Sequence, residues 1–216
     1  MLTVWCLCWG DKYPDYYVQR LQREVAANLT IEHQFVCVTD RHIPDVWCVP
    51  PVVDWPGWWG KIALFKNSVS SDHNLFLDLD VVITGSLDNL VKAHCSSVAY
   101  DTQCLAMPNN WAQSGHGGCQ SSVMLWDKNY NSQQIYDLFD PITARWPPVN
   151  KPGILWGDQE WITQLRDTHK IQVNPIKSGI YSYKYHCRNG LPEDCKVVVF
   201  HGEPKPAEVK VDWFKW

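Results

Sequence analysis

Apolar and polar positions follow two periods along this chain, and the first half reads as strands separated by helices. Residues 3–9 are an apolar run that predicts a first buried strand. Over residues 15–29 the apolar positions Val18, Leu21, Val25 and Leu29 recur at helical spacing. HQFVCVT at 33–39 predicts a second strand that stops at Asp40, and Pro50, Pro51 and Pro56 mark a connection. A helix is expected over 59–69, with Ile62, Phe65 and Val69 facing inward, and NLFLDLDVVIT predicts a third strand over 74–84. Alternating strands and helices imply parallel or mixed pairing with helices on the sheet faces, because parallel strands need crossover connections.

The second half is more irregular. A helix is expected over 86–94, followed by strand-like SSVAYD at 96–101 and SSVMLW at 121–126, with the Gly-rich SGHGG between them. Helices over 129–139 and 158–168 flank the Pro-rich ARWPPVNKPG, and KVVVF at 196–200 is a late strand that stops at His201 and Gly202. No repeat, low-complexity tract or dividing linker interrupts the chain. The expectation is one α/β domain over 1–216, with a nucleotide-binding half at 1–100 and an acceptor half at 101–216 that ends in a closing loop.

Composition narrows the function classes. Hydrophobic residues make up 45% and charged residues 19%, as in a globular enzyme, and no segment reaches the roughly 18 apolar residues of a membrane span. The opening MLTVWCLCWGDK reads as a strand rather than a secretory signal, so a cytoplasmic location is expected. A formal charge of -4 argues against gripping nucleic acid by bulk electrostatics and leaves only a local basic, aromatic groove for that purpose. The nine cysteines lack zinc-site spacing and are expected to be reduced core residues, with Cys6 and Cys8 on one strand face. Thirteen tryptophans suit both core packing and stacking on sugars or bases.

Asp78 and Asp80, set around Leu79, interrupt an otherwise apolar strand. Burying ionised carboxylates is costly unless they are paired or metal-bound, so the pair suggests a cation site whose oxygen ligands favour magnesium or manganese. The alternative is a strand end that turns into solvent, with both aspartates capping the turn. FHGEPKP at 200–206 adds an imidazole at His201, a flexible Gly202 and an ammonium at Lys205. His201 is a candidate third metal ligand, Gly202 lets backbone approach a diphosphate, and Lys205 neutralises it.

Taken together, these strings resemble glycosyltransferase family eight, the group of glycogenin and the bacterial lipopolysaccharide galactosyltransferases, over nearly the whole chain. WGDKY matches the family's nucleoside loop, which implies that Asp11 and Tyr13 meet the nucleoside, with Tyr13 stacking on uracil. The VTD-like turn ends at Asp40, and DLDVVITGSL is similar to the family's metal motif, its following strand and its SL-led helix. Lys61 in GWWGKIALFK takes the place of a diphosphate-binding residue that is usually arginine and lacks its bidentate fork. CQSSVMLW resembles FNSGVMLL, which places Gln120 and Ser121 at the donor sugar with Asp101 nearby. DQE at 158–160 resembles a DQD string at the sugar pocket, and HGEPKP is a compressed form of the closing HxxGxxKPW.

The resemblance implies a GT-A fold, a UDP-sugar donor and manganese or magnesium on the diphosphate. It also implies transfer with retention of configuration, by front-face departure or through a covalent intermediate on Asp158, Gln159 or Asp101. The acceptor is open among a glycan, a lipid-linked sugar, a protein hydroxyl and a hydroxymethylated DNA base. Two other classes compete: a metal-dependent phosphohydrolase or nucleotidyltransferase, for which no Gly-rich phosphate loop follows Trp9, and a non-catalytic sugar- or nucleotide-binding module with Trp58, Trp59 and Trp111 as stacking platforms.

Overall fold

A computed structural model of the chain describes residues 1–55, 57–66, 71–95, 105–111, 118–127, 130–141, 155 and 157–216. The strand expected at 96–101, with Asp101, and the loop at 144–153 lie outside these residues, as does SGHGG apart from Gly118. No described helix is long and apolar enough to cross a membrane.

The expected opening is present: β1 (Leu2–Cys8), α1 (Asp15–Asn28) and β2 (His33–Thr39). They are followed by β3 (Trp47–Val49), a 3₁₀ helix at Gly57–Phe65, β4 (His73–Leu77), β5 (Val81–Ile83) and α2 (Asp88–Cys95). The second half adds β6 (Leu105–Pro108), β7 (Val123–Asp127), α3 (Gln133–Asp137), α4 (Asp158–Asp167), β8 (Val173–Ile176), β9 (Ile180–Ser182) and β10 (Val197–Val199).

Seven strands form a mixed sheet in the order β3-β2-β1-β4-β7-β6-β8, parallel from β3 to β4, with β7 antiparallel to both β4 and β6. Both faces are covered, as the apolar runs require. Leu2, Val4, Cys6 and Cys8 of β1 pack with Val18, Leu21 and Val25 of α1, which puts the two cysteines on one face as expected. Trp5 points the other way into a second core with Trp59, Phe65, Phe76, Trp126 and Ile162. A smaller sheet, β5-β10-β9, covers a third cluster around Tyr183, Cys187 and Phe200.

Two differences from the expected elements matter for the site. The third strand is not continuous over 74–84: β4 belongs to the large sheet, β5 to the small one, and Asp78, Leu79 and Asp80 make the step between them. Two carboxylates cannot continue into a strand that is apolar on both faces, so the ladder breaks where they occur. The helix expected over 59–69 is instead a 3₁₀ helix buried around its whole circumference from Trp59 to Phe65. It passes close under β1, where a Cβ on Gly60 would lie 1.6 Å from the Trp9 ring. That fit requires glycine.

Candidate functional site

The step between the sheets is held by backbone and by α1. Asp78 N–H donates to Ser122 O (2.9 Å) and Phe200 N–H donates to Asp80 O (3.2 Å), which ties the acidic turn to both β7 and β10. Arg20 of α1 is buried, and its guanidinium donates to Leu79 O (2.9 Å) and Val81 O (2.8 Å). Glu24, ion-paired to Arg20, accepts from Ile83 N–H (3.0 Å). The Leu79 side chain is buried in the core, so this residue anchors the two aspartates on either side of it.

The pair lines a cleft of about 480 Å³ whose walls include Lys12, Trp58, Lys61, Gln120, Ser121, Asp158, Gln159, His201, Gly202 and Lys205. Lys61 lies 2.8 Å from Asp78 Oδ1, 3.0 Å from its Oδ2 and 3.3 Å from Ser121 Oγ. Asp158, 3% exposed at the first turn of α4, puts its Oδ2 3.7 Å from the same ammonium, and among the described residues that oxygen has no hydrogen-bond donor. Burial works to neutralise Lys61, but Asp158 and Asp78 outweigh it and hold its pKa above the usual lysine value. Burial pushes the Asp78 carboxyl up, Lys61 opposes this, and Asp80 adds to the rise.

Asp80 faces the other wall. Its Oδ2 accepts from Lys205 Nζ (2.7 Å) and from Tyr13 OH (2.8 Å). Burial and the Asp80 charge keep the Tyr13 phenol protonated well above its ordinary range. The Tyr13 ring packs against Tyr17 and carries the Lys12 and Lys205 ammoniums near its face. His201 Nε2 lies 2.6 Å from Ser182 Oγ, and burial followed by Lys184 depresses its pKa. Gly202 has φ of 69°, a conformation suited to glycine, at the turn that brings Lys205 back over Asp80.

The structure therefore brings Lys61, Asp78, Asp80, Gln120, Ser121, Asp158, Gln159, His201, Gly202 and Lys205 to one cleft, with Tyr13 joined to it through Asp80. Gln120 is locked by Ser122, which accepts from its Nε2 (2.8 Å) and donates backbone N–H to its Oε1 (2.7 Å). Asp40 accepts from Gly10 N–H (3.2 Å) and so shapes the loop that carries the exposed Asp11 and Tyr13. Among the described residues no three His, Cys, Asp or Glu side chains are gathered as a ready-made metal centre. Arg20, Ser122 and Ser182 were missed from sequence. Arg20 alone carried a signal, as a charged position on the otherwise inward stripe of α1.

A mixed sheet with a second small sheet and an acidic step between them is the GT-A glycosyltransferase fold, as the sequence led us to expect. No protein-family model matches the sequence, and no curated protein matches it. Solved structures do match in three dimensions. The galactosyltransferase LgtC, solved with donor and acceptor sugar analogues, is similar at a TM-score of 0.58 and 15% identity over 94% of this chain and 88% of that one. The apo form of the glycosyltransferase GlyE of Streptococcus pneumoniae TIGR4 matches at 0.61 and 14% identity; 94% of this chain is covered, but only 55% of GlyE. Mouse xyloside xylosyltransferase 1 matches at 0.59 and 9% identity, over 92% and 97% of the two chains. At these identities the likeness is one of fold.

Proposed function

We propose that this protein is a metal-dependent, retaining glycosyltransferase that moves a hexose from a UDP-sugar to a hydroxyl acceptor. One observation carries the reading: two carboxylates at the junction of the sheets each face an ammonium in a single cleft, beside a buried carboxylate oxygen with no hydrogen-bond donor among the described residues. The glycosyltransferase neighbours, one of them solved with donor and acceptor analogues, support it.

The residues fit a hard divalent cation, since Asp78 and Asp80 offer oxygen donors and each already attracts a positive charge. They would hold manganese or magnesium with His201, and such an ion would stabilise negative charge on the departing diphosphate. Lys205 leaves Asp80 to meet the diphosphate, and Lys61 supplies a second fixed cation. The Gly202 turn lets backbone N–H groups approach the phosphates. Tyr13 presents its ring to the uracil, while Gln120 and Ser121 line the donor sugar. Asp158 Oδ2, which lacks a hydrogen-bond donor among the described residues, would accept a hydroxyl of that sugar, and Gln159, which lines the same cleft, would face the reacting carbon.

Calorimetric titration of metal-free protein with UDP, with and without Mn²⁺, tests the donor site. Metal-dependent binding that is lost in Asp78→Ala is the expected result; equal binding by both proteins would remove the reading.

A further inference from the structure

Residues Gly10 to Tyr13 lie in the connection between β1 and α1, and among the described residues no backbone-to-backbone hydrogen bond ties them to a neighbouring strand. Gly10 turns the loop with φ of 62°. The carbonyls at its two ends share one partner, the side chain of Arg41, which stands just beyond the end of β2. Nη1 of Arg41 donates to Gly10 O (2.9 Å) and Nη2 donates to Tyr13 O (2.8 Å), so a single guanidinium closes the loop.

The same group is anchored to both elements that flank the loop. Its Nε donates to Asp15 Oδ1 (2.8 Å) at the first residue of α1, and Nη2 also reaches Cys8 Sγ (3.3 Å) at the last residue of β1. Cys8 Sγ in turn donates to Tyr13 O (3.6 Å). A longer contact runs from Nη1 to Asp40 Oδ1 (3.5 Å), and the Arg41 backbone N–H donates to Thr39 Oγ1 (3.3 Å). A guanidinium carries five N–H donors in one plane, and here they meet five acceptors of the protein. With no donor left for a phosphate, Arg41 is not a diphosphate ligand despite its place beside the nucleoside loop. Lysine could not do the same, because an ammonium lacks the planar fork that spans two separate carbonyls.

Resting on the transferase reading, we infer that Arg41 is a positioning residue for the donor: it sets the loop from Gly10 to Tyr13 in the shape that receives the nucleoside and does not itself touch the nucleotide. Tyr13 is thereby fixed at two points, its carbonyl by Arg41 and its hydroxyl by Asp80. The Asp80 hold uses an oxygen that a cation would claim, and the Arg41 hold does not. A loop ordered before binding spares the nucleotide the entropy of arranging it, and that saving is read as affinity.

Calorimetry on the full chain compares UDP with inorganic pyrophosphate, each with Mg²⁺, in wild type, Arg41→Lys and Arg41→Gln. Both variants bind UDP about tenfold more weakly and bind pyrophosphate as wild type does, because the acidic step with Lys61 and Lys205 is untouched. Limited tryptic cleavage of the nucleotide-free protein reads the loop directly. Lys12 is exposed on it, and the cut after Lys12, identified by mass spectrometry, is faster in both variants while cuts elsewhere keep their rates. Three results overturn the proposal: undiminished UDP affinity in the variants, equal weakening of UDP and pyrophosphate, or faster cleavage throughout the chain, which would make Arg41 a fold-stabilising residue only. Failure of wild type to bind UDP under any metal condition would remove the transferase reading and this proposal with it. A wild type that binds UDP beside variants that bind it equally well removes the proposal alone.

Discussion

The two walls of the cleft carry the same pairing of ammonium and carboxylate but satisfy it differently. On the large-sheet wall, Lys61 hydrogen-bonds Asp78 and Ser121 and stands 3.7 Å from the buried Asp158 Oδ2, which has no hydrogen-bond donor among the described residues. On the small-sheet wall, one oxygen of Asp80 receives both Lys205 and Tyr13, and His201 is matched to Ser182. Among the described residues, the first wall leaves Asp158 Oδ2 at ion-pair distance only, while on the second Asp80 Oδ2 has two donors. A buried acceptor without a donor costs about 1–3 kcal/mol, so the first wall has a standing reason to bind a hydroxyl. The second wall is closed by a lysine 125 positions away on a loop, a contact that can be exchanged without disturbing the core.

The largest effect expected from breaking this comparison is at Asp80. Asp80→Asn keeps an acceptor for Tyr13 but loses the charge, and transfer falls by about 10²–10³-fold or more with the fold intact. Activity assays alongside circular dichroism check this, and near-normal turnover with normal metal response would contradict it. Asp158→Asn removes the charge at the orphaned oxygen. Here kcat drops about 10²-fold while UDP affinity, read by calorimetry, stays near wild type. A variant that loses UDP binding in proportion would place Asp158 at the nucleotide rather than the sugar.

Gly60→Ala sharpens the comparison from beneath the first wall. Its methyl would overlap the Trp9 ring, so denaturant unfolding should show a loss of about 1–3 kcal/mol, with Lys61 displaced and the second wall untouched. Lys205→Met opens the second wall without touching the first. UDP affinity weakens about tenfold, whereas Mn²⁺ alone binds at least as well because a competing cation has gone from Asp80. Weaker Mn²⁺ binding would show that Lys205 does not compete for the site.

The smallest effect concerns an exposed hydrogen-bonded pair on the small sheet. Tyr181 OH donates to Asp194 (2.6 Å), and that hydrogen bond, with some burial, raises the phenol to about 12 while depressing the Asp194 carboxyl. A raised phenol pKa stabilises the fold below the ordinary tyrosine value of 10.0, and this is lost as pH climbs through about 12. A depressed carboxyl pKa stabilises above its ordinary 3.8 and is lost as pH falls through the lower folded value. Stability from this pair is therefore flat between these limits. Tyr181→Phe should remove this pair's share of the alkaline dependence, measured as Tm against pH, and leave UDP binding unchanged.

Much of the fold was legible because its determinants are local. The runs at residues 3–9 and 33–39 and the helical stripe of α1 announce themselves by period, since a strand buried on both faces has to be apolar throughout. The acidic pair was legible for the converse reason, that carboxylates in such a run need a partner. β3, β6, β8 and β9 were not foreseen; they have three or four residues each, too few for a period to show.

By itself, then, the sequence determined the layered α/β class, the position of Asp78 and Asp80 at the end of an apolar strand, and the chemistry that His201 and Lys205 bring to a closing loop. Only the tertiary structure decided that the strand breaks into two sheets, that Lys61 belongs to Asp78 and Lys205 to Asp80, and that Arg41 closes on the carbonyls of Gly10 and Tyr13. The physical reason is separation along the chain. Period and burial are local properties that neighbouring residues record, whereas ion pairs between positions 61 and 78 or 80 and 205 exist only once the sheets have packed and brought them within reach.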